Sequence, residues 1–200
     1  MRIYSLFLIA ALAFFSPHWV FAAVSPVSVT VFPPIQFPAD NYTITGGRFS
    51  ILWGRQRDLY GLDVGVLGNI TDETFVGIGI SGLLNLTGGT TTILGLQLAG
   101  LANINTNKTQ IYGLQATLGI NSNTASSSIV GLQIAPIANL SPYMNIYGIQ
   151  AGIYNRALSV YGFQIGVVNV VKNLHGIQIG LLNFNEGGLF FVAPVLNIGF

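Results

Sequence analysis

The side chains that could do chemistry are few and scattered along the chain. The sequence has seven Lys and Arg, six Asp and Glu and two His residues. A Ser-His-Asp assembly outside the N-terminal leader would have to use His175, and no nucleophile motif flanks that residue. The acidic residues show neither metal-ligand spacing nor an adjoining phosphate loop. The sequence therefore predicts a protein that is not an enzyme, with no catalytic residue, no cofactor and no metal site.

One polar constellation stands out near the start of the repeats: Arg48, Arg55, Arg57, Asp58 and Asp63. Asp63 is hard to place outside the lumen of a barrel, and we expect Arg48 to reach it within that lumen. The stretch from Arg55 to Asp58 is typical of a solvated turn.

The composition excludes several classes of protein. Hydrophobic residues make up 51% of the 200 residues and charged residues only 6%, against about 25% charged residues in ordinary soluble domains. This balance argues against a standard soluble enzyme and against disorder. A net charge of +1 leaves no basic footprint for nucleic acid. The absence of cysteine excludes disulfides, thiolate metal sites and a lipobox-type anchor.

The N-terminus is typical of a secretory leader. Met1 and Arg2 form a positive start, residues 3–15 are apolar, and Val20-Phe21-Ala22 offers a cleavage site after Ala22. We therefore expect residues 1–22 to be a signal peptide, residues 23–41 an N-terminal arm, and the mature protein to be exported by a bacterium. After the leader, no run of about 18 apolar residues could form a transmembrane helix.

A repeat of the form G-x-Q-x-G-x-x-N runs through most of the remaining chain. It reads YGIQAGIYN from Tyr147, YGFQIGVVN from Tyr161 and HGIQIGLLN from His175, and earlier copies carry one more residue before the Asn. The first glycines of successive copies are 14 to 18 residues apart. Polar and apolar residues alternate with period two, which predicts one strand per copy.

Splitting each strand by face separates an apolar face from a face of small and amide residues. In a membrane barrel the apolar face fits lipid and the second face fits the lumen. Neighbouring amides can satisfy each other there, either as a hydrogen-bonded plug or as a polar lining for small solutes. The predicted lumen amide layer is Asp63, Gln97, Gln115, Gln133, Gln150, Gln164 and Gln178.

These features predict an all-β fold, an antiparallel up-and-down transmembrane β-barrel of about ten strands over residues 42–200. Twelve strands or a β-solenoid are the alternatives. Solenoid coils need a near-constant length, so the change from 18 to 14 residues favours the barrel. The shortage of surface charge also argues against a soluble solenoid.

Aromatic residues and the C-terminus add two further predictions. The residues that begin strands on the apolar face are expected to lie at the membrane interfaces: Tyr60, Tyr112, Tyr147, Tyr161 and His175. In antiparallel strands they would divide between the two membrane edges. The chain ends with apolar residues at every second position, Leu196, Ile198 and Phe200, which resembles the assembly signal that the outer-membrane barrel-assembly machinery recognises.

The repeat resembles that of bacterial outer-membrane surface-repeat proteins, and the whole pattern is similar to small porin-like outer-membrane proteins of predatory and other Gram-negative bacteria. The resemblance covers roughly residues 60–200. For the porin-like proteins it implies barrels that assemble side by side as rings and enclose lipid.

Three functions remain open from the sequence. The first is a porin-like structural barrel in the bacterial outer membrane, a ring-shaped homo-oligomer that encloses lipid and organises the membrane. The second is a monomeric channel for small solutes. The third is a soluble or surface-attached β-repeat protein that binds a partner. The expected partners are outer-membrane lipids, further copies of the chain and the barrel-assembly machinery, and no nucleic acid.

Overall fold

A computed structural model describes residues 23–200 as an all-β structure with 77% of residues in strands. The predicted signal peptide lies outside these described residues. The strands are β1 (Val24–Phe32), β2 (Ile35–Phe37), β3 (Thr43–Ser50), β4 (Trp53–Gly65), β5 (Gly68–Ser81), β6 (Leu84–Thr87), β7 (Thr91–Ala99), β8 (Ala102–Asn105), β9 (Thr109–Thr117), β10 (Ile120–Asn123), β11 (Ser127–Ile134), β12 (Ala138–Ala151), β13 (Tyr154–Ile165), β14 (Val168–Asn185) and β15 (Val192–Gly199).

The strands stack as a parallel β-solenoid of about ten turns. Equivalent residues of successive repeats are paired, so that Gly131 pairs with Gly113 on one side and Gly148 on the other. The prediction of an antiparallel up-and-down barrel, with ten or with twelve strands, is wrong. Each copy of the repeat lies on top of the previous copy in the same direction, because the chain makes a full turn between copies. The β-solenoid alternative describes the architecture.

The extra residues of the longer repeats lie in the turns, so coils of different length still stack. The variation in repeat length is therefore compatible with a solenoid, contrary to the expectation from the sequence. Six residues separate Gln115 from Asn121, whereas five separate Gln164 from Asn169, and the extra residue lies in the turn between them. The remaining extra residues lie in a second turn, which comes after the Asn of the repeat. In a long coil this turn separates two strands, as it separates β10 from β11. A short coil bends there within a single strand, as β13 does.

The first glycine of the repeat has a backbone conformation that other residues rarely adopt. Gly148 has φ +137°, and the equivalent glycines from Gly61 to Gly176 also have positive φ. A Cβ atom at Gly148 would overlap the carbonyl oxygen of Gly131 in the coil below. Since only glycine accepts both conditions without strain, it recurs in every coil.

The interior is divided between an apolar column and polar columns. Buried hydrophobic side chains stack along the axis on one side of the coil: Ile44, Leu59, Phe75, Ile93, Ile111, Ile129, Met144, Ile146, Ala157, Val160, Val171 and Leu174. The rest of the interior holds amides, hydroxyls and one ion pair. Among the described residues, more buried side chains are polar than hydrophobic, which is the reverse of an ordinary protein core.

Antiparallel strands cover both ends of the stack. Strand β1 pairs in parallel with β3, so the segment predicted as an N-terminal arm contains a solenoid strand. The three-residue β2 pairs with the outer side of β1, and β15 pairs with β14. Prolines flank β2, and Pro194 lies within β15, which limits further pairing at these edges. Within residues 23–200, no helix has the length and apolarity needed to cross a membrane.

Candidate functional site

The predicted amide layer exists, but it lies inside the solenoid and runs along its axis. Each Gln after Gln97 donates a hydrogen bond from Nε2 to Oε1 of the Gln in the preceding coil. The five bonds from Gln97 to Gln178 are all 2.7 Å long, and all six side chains are fully buried. Asn197 of β15 completes the column by donating to Gln178 at 2.9 Å. The interior is closed by these contacts, which leaves no polar lumen along this column.

A second column of buried amides was missed as a site by the sequence analysis, although its Asn is the last residue of the repeat motif. Its members are Asn69, Asn85, Asn103, Asn121, Asn139, Asn155, Asn169 and Asn183. Each of the first seven donates from Nδ2 to Oδ1 of the Asn in the following coil, over 2.8–3.1 Å, and Asn183 donates to the carbonyls of Gly180 and Ala193. The donors therefore point towards the C-terminus here and towards the N-terminus in the Gln column. Oδ1 of Asn69, at the N-terminal end, has no partner.

In the longer coils, a third set of polar side chains joins the Gln column across the interior. Gln97 and Asn105 exchange two hydrogen bonds of 3.1 Å. Gln115 and Asn123 do the same at 3.3 and 3.0 Å. These reciprocal pairs use both the donor and the acceptor of each amide, so that the buried polar groups remain satisfied.

A buried ion pair lies in line with the Gln column in the first coils, two coils before Gln97. Arg48 donates from Nε and Nη2 to the two carboxylate oxygens of Asp63, at 2.8 and 2.7 Å. A third bond runs from Nη1 to the carbonyl of Ile70 at 2.7 Å. The contact expected from the sequence is therefore present, and both side chains are buried. The next position of the column is Gly79, where the ring of Phe75 fills the space that a side chain would take.

The predicted interfacial aromatics lie on the outside of the coil, in one column. Because the strands are parallel, the five residues do not divide between two edges. Tyr147, Tyr161 and His175 stack face to face, with ring centroids 4.8 and 4.6 Å apart and planes within 8°. Aliphatic residues separate Tyr112 and Tyr60 from this stack. In each coil, a strand segment begins at this column and runs to the next turn, as Tyr161–Ile165 does in β13. We call the outward side chains of these segments the tyrosine face.

The outer surface is mostly apolar, and its apolar residues are continuous around one side of the coil. The tyrosine face leads to a turn, and the strand segments beyond that turn contain the buried Asn column. We call the outward side chains of these segments the asparagine face. The turn itself is the apolar edge, whose exposed residues are Leu52, Leu83, Leu101, Leu118, Ile137, Ile153, Val167 and Leu181. No Asp, Glu, Lys or Arg of residues 23–200 points outwards from the tyrosine face or the apolar edge.

A groove of about 650 Å³ follows the apolar edge over the last coils. Its floor contains Gly152, Gly166 and Gly180, and its walls contain Ile153 and Leu181. The groove forms because the second glycine of the repeat has no side chain between two rows of large aliphatic residues. Its lining belongs to the same apolar surface.

The charged residues collect at the opposite side of the coil, on the turn between the asparagine face and the next tyrosine face. We call this turn the polar edge: Asp40, Arg57, Asp58, Asp72, Glu73, Lys108, Lys172 and Glu186. Arg55 on the asparagine face pairs with Asp72, with Nε and Oδ2 2.9 Å apart. The hydrogen bond to Asp72 raises the pKa of Arg55. Within the described part of the chain, only Arg55 and Arg156 place a charge on the asparagine face itself.

Asp58 is the most enclosed carboxylate of the polar edge. Burial raises its pKa, but hydrogen bonds from Arg57 and from Thr74 outweigh this and hold the pKa below its ordinary value. The bond from Nε of Arg57 is 2.8 Å long, and the backbone N–H of Thr74 donates at 3.1 Å. The same bond to Asp58 raises the pKa of Arg57. This cluster stabilises the polar edge where the first coils meet.

No family model, curated protein or solved structure matches this chain. Its function is therefore inferred from its own geometry. Residues 23–200 contain no group of three His, Cys, Asp or Glu residues that could hold a metal ion. The predicted assembly-signal residues Leu196 and Ile198 lie exposed on β15, and Phe200 follows that strand as the last residue.

Proposed function

We propose that this protein is a non-enzymatic β-solenoid of the bacterial outer membrane that attaches to lipid through its apolar outer surface. The observation that carries the proposal is the separation of charge. The tyrosine face and the apolar edge have no outward Asp, Glu, Lys or Arg, and the charged side chains collect on the polar edge. The N-terminal leader predicted from the sequence supports export.

The size of the apolar surface supports lipid as the partner. Monomeric proteins in water rarely expose contiguous apolar patches above a few hundred Å². More than forty large hydrophobic side chains of residues 23–200 are exposed here, many of them by about half. Most of them lie on the tyrosine face, on the apolar edge and at the two ends of the stack. A flat protein partner would cover one such surface, whereas lipid can cover the tyrosine face and the adjoining apolar edge together.

Vesicle flotation tests the attachment. The protein without residues 1–22, mixed with phosphatidylethanolamine and phosphatidylglycerol vesicles, is expected to float with the lipid in a density gradient. Ile134→Asp/Ile165→Asp, on the tyrosine face next to the apolar edge, is expected to weaken flotation because each Asp would have to be desolvated. Thr124→Asp/Ser126→Asp is the matched control, since it adds the same charge at the opposite side of the coil.

Self-association is the competing outcome. If the protein stays at the bottom of the gradient and sediments as an oligomer without detergent, its apolar faces cover each other and the lipid proposal is wrong. If it floats as single particles, the homo-oligomer expected from the sequence is wrong. Circular dichroism of each variant checks that the solenoid is still folded.

A further inference from the structure

Many backbone N–H groups of the apolar edge donate hydrogen bonds to carbonyls of the neighbouring coils. A backbone N–H or C=O that enters hydrocarbon without a partner costs several kcal/mol. Turns normally satisfy part of their backbone with water, so they lie at the surface. A turn that enters lipid has to replace that water with protein partners.

The Asn column adds a second donor to the carbonyls next to the turn. The carbonyl of Ala151 already accepts a bond from the N–H of Ala135, and that of Ile165 from the N–H of Gly152, both at 3.0 Å. From Asn69 to Asn169, each Nδ2 donates to the next Asn and also to a carbonyl in the following coil, at the point where the strand of the tyrosine face reaches the turn. Asn121 donates to the carbonyl of Ile134 at 2.9 Å, and Asn139 donates to that of Ala151 at 2.8 Å. The same bond recurs along the column: Asn69, Asn85, Asn103, Asn155 and Asn169.

The N–H groups at the apex of the turn bond from coil to coil. Ile153 donates to the carbonyl of Pro136, and Val167 donates to that of Ile153, both at 3.0 Å. Leu182 in turn donates to Val167 at 3.0 Å. The apex side chains are themselves exposed, with 58% of Ile153 and 67% of Leu181 accessible. The edge therefore presents hydrocarbon outwards and keeps its polar backbone paired inwards.

The charges indicate how far this edge can enter a membrane. Arg156 lies three residues beyond Ile153, which is about 10 Å along a strand. The long side chain of an arginine at that depth can reach back to the headgroups. On the other face, Tyr161 lies six residues before Val167, about 20 Å from the edge. One half of the hydrocarbon core is about 15 Å thick, so the aromatic column stays outside the hydrocarbon when the edge is inserted.

We propose that the solenoid inserts its apolar edge about 10 Å into one leaflet, with the polar edge in water and the axis of the solenoid parallel to the membrane. Insertion is possible because the backbone bonds between coils and the bonds from the Asn column together keep the polar groups of these turns paired within the protein. The inference rests on the proposed lipid attachment and specifies which side of the molecule enters the lipid.

Single-cysteine labelling measures the orientation directly, because the natural chain has no cysteine. Ile153→Cys places a label on the apolar edge, and Ser126→Cys places one on the polar edge. Each variant carries an environment-sensitive fluorophore and is mixed with vesicles whose lipids carry a nitroxide quencher on the acyl chain. The label at position 153 is expected to shift to the blue and to be quenched, and the label at position 126 is expected to change in neither respect.

A charge at the edge provides a test without any label. Ile153→Asp/Leu181→Asp is expected to weaken vesicle binding at least about tenfold, because a carboxylate in hydrocarbon is costly. Both side chains are exposed, so the fold in water should be unaffected. The control is Thr124→Asp/Ser126→Asp, which is expected to bind like the natural protein.

The outcomes separate the two proposals. If the protein floats with vesicles while the label at position 153 stays in water, attachment holds and edge insertion is wrong. If the labelled proteins do not bind vesicles at all, the proposed function itself is wrong. Equal quenching of both labels would show that the molecule is embedded without a preferred edge, and this also overturns the inference.

Discussion

Gln133 donates a hydrogen bond of 2.7 Å from its Nε2 to Oε1 of Gln115, and both side chains are fully buried. The two residues are 18 positions apart in sequence and lie directly above one another in adjacent coils. Every internal member of this column acts as donor and acceptor at once. Removing one member therefore affects the coils above and below it.

Replacing Gln133 with Leu should destabilise the solenoid by about 2–3 kcal/mol. The substitution takes the acceptor from Gln150 and a donor from Gln115 and Ser141. Urea unfolding of the two proteins measures the difference. Gln110→Leu, on the outer surface of a neighbouring coil, should change the free energy of unfolding by less than about 0.5 kcal/mol. Equal losses at the two positions would contradict a stabilising role for the column.

Replacing Gly131 with Ala should cost at least about 2 kcal/mol, since φ is +138° and the new Cβ would overlap the carbonyl oxygen of Gly113. Gly47→Ala is the control, because a Cβ there would be 3.7 Å from the nearest atom, the carbonyl oxygen of Leu62. Thermal unfolding followed by circular dichroism compares the two variants. A stable Gly131→Ala protein would mean that the coil can adjust its backbone at this corner.

The ion pair between Arg48 and Asp63 should behave as a buried unit. Arg48→Met leaves Asp63 charged and unpaired in the interior and is expected to cost about 3–5 kcal/mol. Removing both charges in Arg48→Met/Asp63→Leu should recover much of this loss, because no buried charge then remains. A double-mutant cycle by urea unfolding gives the coupling between them. If the double variant loses as much free energy of unfolding as the two single variants lose together, the pair is not coupled.

Stability should depend on pH through Asp58. Its pKa in the folded protein is lowered, so its ionised form stabilises the fold at pH values above the ordinary Asp pKa of about 4. This contribution is lost as the pH falls from about 4 through the lower folded value. Asp58→Asn should therefore be less stable than the natural protein at pH 7, by less than about 1 kcal/mol.

Urea midpoints at pH 7 and pH 3 measure this effect. The difference between Asp58→Asn and the natural protein should shrink at the lower pH. Glu186→Gln, which removes an exposed carboxylate elsewhere on the polar edge, should leave the midpoint unchanged at both values. A constant difference at Asp58 would show that its charge does not stabilise the fold.

Several features of this protein could be predicted from the sequence. The period-two pattern from Tyr147 to Gln178 identified strands with an apolar outer side and an amide inner side, and both were found. The expected contact between Arg48 and Asp63 was also found. These features are local, because they depend on which residue types alternate along one strand and on which isolated charges need a partner.

The direction in which the strands pair was decided only by the tertiary structure. An alternating strand such as Tyr161–Ile165 satisfies its backbone equally well beside a parallel or an antiparallel neighbour, so the pattern by itself allows a barrel and a solenoid. What separates them is the chain between the repeats, which either reverses or completes a turn. The conformation of Gly148 and the bonds from Asn139 to Ala151 and Asn155 belong to the complete turn. The alternation along each strand places the Gln side chains on the inner side, and the stacking of whole coils closes that interior into a core of amide columns beside an aliphatic column.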